Sequence, residues 1–127
     1  MIKMIFTENA PLAIGPYSQA VRVGNLLFLS GQIPVDPETN EVVGNNIIVQ
    51  TQQVMKNIKS ILEKEKIGLD SVVKTTIFVK DLNQFSIVND EYGGFFGNHL
   101  PARSTIEVSR LPKDVLIEIE VIATIQS

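Results

Sequence analysis

A chain of 127 residues with 44% hydrophobic and 20% charged side chains has the size and balance of one soluble globular domain that can bury its own core. Its net charge of −3 argues against a nucleic-acid binder, which usually carries a basic excess. With no cysteine and a single histidine, His99, it lacks a disulfide, a thiolate nucleophile, a cysteine metal site and a multi-histidine site.

The opening MIKMIF is too short for the apolar core of a secretion signal. No apolar run approaches the roughly 20 residues that span a bilayer, so a cytoplasmic protein without a membrane segment is expected. Residues 2–6 suit an edge strand. AVRVGNLLFLSG, residues 20–31, predicts a β-hairpin, because β-prone residues flank Gly24-Asn25, a pair that tolerates the positive φ of a two-residue turn. Residues 34–44 form a turn-rich excursion with Pro37 and Asn40 as breakers.

From Ile47 to Lys66, Ile47, Val54, Met55, Ile58, Ile61 and Leu62 recur at helical spacing, and Gly68 is the expected stop. VVKTTIFVK, residues 72–80, is β-branched and reads as a strand. A second helix is expected over Phe85, Val88, Tyr92, Phe95 or Phe96, and His99, ending before Pro101. The stretches 101–110 and 111–123 hold two final strands separated by LPKD, residues 111–114, short enough for a hairpin. The whole chain, 1–127, reads as one α+β domain with a sheet of five or six strands and two covering helices. Two helices cover one sheet face, and the other must meet water or another chain.

That second face poses the functional question. Counting by twos puts Arg103, Thr105, Glu107 and Ser109 on one side of their strand, and Leu116, Glu118, Glu120 and Ile122 on one side of theirs. Leaving the accompanying apolar surface in water is costly at roughly 25 cal/mol per Å², so a homo-oligomer is expected. If the last two strands pair, Arg103, Glu118 and Glu120 project from one sheet region. Arg103 then either neutralises a glutamate or binds a substrate carboxylate through two parallel hydrogen bonds beside a carboxylate base.

PARSTIEVSRLPKDVLIEIEVIA (101–123), IGPYSQAV (14–21), FLSGQIPVDP (28–37) and FSIVNDEYGGFF (85–96) resemble, in order, the signatures of the Rid (YjgF-type) family of reactive intermediate deaminases, closest to its RidA-type branch. The resemblance covers nearly the whole chain. It implies a chorismate-mutase-like fold, a mixed sheet backed by two helices, assembled as a trimer with clefts between subunits. The implied activity is hydrolysis of 2-iminobutanoate and 2-iminopropanoate to 2-oxo acids and ammonia, with no cofactor and no metal required. It also implies that Arg103 grips the carboxylate, Glu118 activates water, and Tyr17 walls the cleft from across the interface. Ser30, Gly31 and Asn89 fall at cleft positions. Thr105 stands where many relatives carry cysteine, so thiol chemistry is not expected here.

The residues themselves leave other readings open. Tyr17 can cap a core edge, Gly31 can serve strand geometry, Asn89 can be a solvated helix residue, and Glu120 reads as structural. KNIKSILEKEK, residues 56–66, alternates in sign and reads as a solvated helix face. A regulatory module that binds small 2-oxo acids is a competing function, and a chaperone or ribonuclease role of the kind ascribed to some relatives is another.

Overall fold

The computed structural model describes residues 1–125. Six strands, β1 (Ile2–Ile5), β2 (Ala20–Val23), β3 (Leu26–Gln32), β4 (Val72–Val79), β5 (Ala102–Glu107) and β6 (Ile117–Thr124), form one mixed sheet. Their order across it is β1-β2-β3-β6-β4-β5. Helices α1 (Ile47–Lys64) and α2 (Phe85–Gly93) pack on one face.

The hairpin at Gly24-Asn25 forms as expected: Val23 pairs with Leu26, and Gly24 takes a φ of 58° that costs glycine little. The turn-rich excursion folds back on itself, with Val35 bridging Val42 and Asn40 at φ 62°. Helix α1 starts at Asn46, whose side chain accepts a hydrogen bond from the Val49 amide, a polar cap on an otherwise unpaired donor. Its apolar stripe of Val54, Met55, Ile58, Ile61 and Leu62 is buried against Leu27, Ile77, Ile119 and Val121.

Three sequence expectations need correction. Helix α1 stops at Lys64, and it is Lys66, at φ 60°, that leaves the helical path before Gly68. Helix α2 stops at Gly93, where consecutive glycines weaken it. His99 therefore lies beyond the helix, its Nε2 2.7 Å from the Val72 carbonyl.

The third correction matters most for function: β5 and β6 do not pair with each other. β5 runs parallel to β4 and β6 antiparallel to it, on opposite sides. The physical reason is connectivity, since α2 carries the chain from β4 back to a parallel neighbour, as a parallel pair requires. Residues 108–116 then cross beyond β4 to reach its other edge.

The ladder registers settle which face each side chain takes. Thr75 pairs with both Arg103 and Val121, so Arg103 points to the helix-covered side. Phe78 pairs with both Ile106 and Glu118, so Glu118 points to the open side. That open face also carries Ile2, Met4, Val23, Leu26, Phe28 and Ile106, all exposed, with Met4 at 65%. No helix among the described residues is long and apolar enough to cross a membrane.

Candidate active site

The candidate residues fall into two separate groups, one on each face of the sheet. On the open face, Tyr17, Ser30, Gly31, Glu118 and Glu120 line a cleft of about 470 Å³. The segment carrying Tyr17 is fixed by buried Gln19, whose side chain donates to the carbonyls of Thr7, Ala10 and Pro11 and accepts from the Thr7 amide. The Gln19 carbonyl accepts the Ser30 amide at 2.9 Å. Ser30 Oγ in turn donates to the Ser18 carbonyl at 2.6 Å, so its hydroxyl proton is already engaged. Tyr17 is half exposed, and its hydroxyl accepts from the Ile14 amide at 3.4 Å.

Glu118 lies hard against Gly31. A Cβ built on Gly31 would overlap the carboxylate and come within 2.8 Å of Glu118 Cδ. The strand locally slips its register between Leu29 and Gln32, a bulge that re-aims this stretch of backbone. Gly31 is thus needed for close approach. Burial holds the Glu118 pKa above the usual carboxylate range, and the like charge of Glu120, two residues on along the same face, adds to the rise. No group of three or more metal-binding side chains is present among the described residues.

The raised pKa has a measurable consequence. The folded chain holds the Glu118 proton more tightly than the unfolded chain does. Glu118 therefore weakens stability as pH rises through that raised value, and is without effect below the unfolded value near 4.5. Glu118→Gln is expected to melt higher than wild type well above the carboxylate range, the gain vanishing below it. Glu120→Gln removes the like charge and should move that stability loss to lower pH. Thermal melts across pH check both.

On the helix face sit Arg103, Thr105 and Asn89. The Arg103 Cζ lies 5.4 Å from the Phe85 ring centroid and 5.3 Å from that of Tyr92, within cation–π range. The ion pairs among the described residues, Lys3–Glu65, Arg22–Glu65 and Arg110–Asp114, leave it out. Arg103 is therefore not neutralised by a glutamate. Tyr92 is buried, its hydroxyl 2.8 Å from Thr75 Oγ1. Burial raises its pKa, against the lowering effects of that hydrogen bond and of the Arg103 charge. Asn89 Oδ1 and Thr105 Oγ1 are buried without a hydrogen-bond partner among the described residues.

Arg103 and Glu118 do not meet within one chain. They are two strands and three residues apart in register, about 10 Å in each direction, and they project from opposite faces. Alternation in the sequence marked the faces, but Phe85 and Tyr92 read there only as core residues. Their spacing of seven on one helical face, ahead of a lone arginine, was the available signal. Glu120 likewise joins the cleft, where the sequence suggested a structural role.

The family model described as endoribonuclease L-PSP matches residues 7–125. A 2-iminobutanoate/2-iminopropanoate deaminase of Escherichia coli K12 is 54% identical over 126 residues, covering 97% of this chain and 98% of that one. A RutC family protein of Pyrococcus horikoshii is 57% identical over 123 residues, covering 97% and 98%. Among solved structures, Escherichia coli TdcF with bound serine superposes with a TM-score of 0.93 at 42% identity, covering 98% of this chain and 99% of that one.

Proposed function

The chain belongs to the endoribonuclease L-PSP (YjgF/Rid) family, and from that premise we propose that it hydrolyses short 2-imino acids at a site shared between copies of itself. The observation that carries this reading is Arg103, a guanidinium beside two rings with no carboxylate paired to it among the described residues. A planar cation in that state suits a small organic carboxylate. The name of the Escherichia coli relative supports the substrate class.

Because Glu118 faces the other way, the water-activating carboxylate comes from a neighbouring copy, with Tyr17, Ser30 and Gly31 as its cleft walls. The apolar open face supports such an assembly, since a second chain would cover it, and a trimer is the form implied by the Rid-type motifs. Arg103 fixes the carboxylate and with it the position of the imine carbon. Glu118 takes a proton from water as the oxygen attacks that carbon, then returns it to nitrogen. Glu118 then takes the hydroxyl proton of the carbinolamine and passes it to the amino group, so that the C–N bond breaks as the C=O bond forms and ammonia departs from a 2-oxo acid. A glutamate whose pKa is raised by burial is suited to carrying a proton in both directions.

The direct test generates 2-iminobutanoate with threonine dehydratase and follows its disappearance. Added protein is expected to speed the loss; an unchanged rate would remove the reading. The serine bound to the TdcF relative supports a second reading, a sensor of small amino or oxo acids. Binding of 2-oxobutanoate without faster imine loss would favour it. The ribonuclease activity in the family's description fits poorly with a net charge of −3.

A further inference from the structure

An arginine on an edge strand is most simply held by a carboxylate, yet here the element packed over it offers none. Phe85, Asn89 and Tyr92 follow one another at steps of four and three along α2 and so share one face. The first and last place their rings on Arg103, which sets Asn89 between them. The acidic residues of the same helix are turned elsewhere: Glu91 Oε1 accepts from Gln52 Nε2 at 2.8 Å, beside α1, and Asp90 lines the outer groove between the helices with Lys56.

The rings are themselves fixed. Tyr92 is tied to Thr75, the β4 residue directly beside Arg103 in register, and its ring lies 4.8 Å from that of Phe96. Asn89 contributes a buried carbonyl oxygen with no hydrogen-bond partner among the described residues, a dipole where an aspartate of the same size would supply a full charge.

We infer that this face of α2 is an uncharged cradle that presents Arg103: Phe85, Asn89 and Tyr92 position the guanidinium without neutralising it, and Asn89 is the position at which neutrality is set. The inference rests on the carboxylate-binding role proposed for Arg103. A counter-charge in the cradle would compete with the ligand for the same cation. Ring faces attract the guanidinium yet leave its N–H groups free to donate.

The test measures 2-oxobutanoate binding to the intact protein by titration calorimetry, with thermal melts alongside. Asn89→Asp is expected to weaken binding about 30-fold, as an internal ion pair replaces the ligand, while the melting temperature holds or rises. Phe85→Leu keeps apolar bulk but loses the ring face, and should weaken binding about 10-fold; Phe85→Tyr should recover most of that loss. A structural Asn89 would give the reverse pattern, lower stability with affinity intact. That result, or binding near wild type in both Asn89→Asp and Phe85→Leu, would overturn the cradle and leave the proposed activity standing. Wild-type protein that neither binds 2-oxobutanoate nor speeds imine loss would instead remove the functional reading, and the cradle with it.

Discussion

Arg103→Ala and Glu118→Gln proteins, each inactive alone, are expected to regain about a quarter of wild-type imine hydrolysis when dissociated, mixed equally and reassembled. Each site in this scheme takes its arginine from one copy and its glutamate from the next. In a random mixture half of the arginine positions are intact, and independently half of the glutamate positions are. The single variants should be severe. Losing charge-assisted hydrogen bonds to the carboxylate and the positioning that depends on them costs at least about 100-fold in kcat/KM, and losing the general base costs about 100-fold or more in kcat. The coupled dehydratase assay measures all three samples. A mixture no more active than its components would show that the two residues do not meet across an interface, and their placement on opposite sheet faces would then leave no shared site.

Gly31→Ala should cost about 100-fold in kcat while scarcely moving the melting temperature. Gly31 has no positive φ among the described glycines, so its backbone accepts a side chain without strain. The added methyl would collide with the Glu118 carboxylate and come within 3.1 Å of its Cγ. A half-buried side chain bordering an open cleft yields by rotating away, which spares the fold and displaces the base. Binding of 2-oxobutanoate, which depends on Arg103, should change far less than kcat. Unaltered turnover in this variant would mean that the position of the Glu118 carboxylate is irrelevant to the reaction.

Much of the architecture was legible because it is written locally. Gly24-Asn25 announces its hairpin, the apolar stripe from Ile47 to Leu62 announces α1, and the alternation from Ile117 to Ala123 separates the two faces of β6. The pairing of the last strands was not legible. LPKD has the length of a hairpin loop, but Lys113 and Asp114 both take positive φ in a short 3-10 turn, and the chain does not double back. Which strand neighbours which was decided by α2 and by β4, far away in sequence. For the same reason the sequence placed Arg103 and Glu118 in one region: alternation says that a strand has two faces, not which face a distant helix will cover. The residues carrying the Rid-type motifs were identifiable one by one, while the sorting of Tyr17, Ser30, Gly31 and Glu118 from Arg103, Thr105 and Asn89 needed the three-dimensional register.

The central place of β6 has a consequence for how the molecule is made. This strand follows every other in the chain, yet it sits between β3 and β4. Without β6 the sheet has no strand joining β1-β2-β3 to β4-β5, and the edges of β3 and β4 that β6 covers are left open. Until β6 arrives, those edges are available to other nascent chains, and pairing so remote in sequence is slow to form. The chain is therefore expected to be most open to mispairing in the interval before β6 closes the seam.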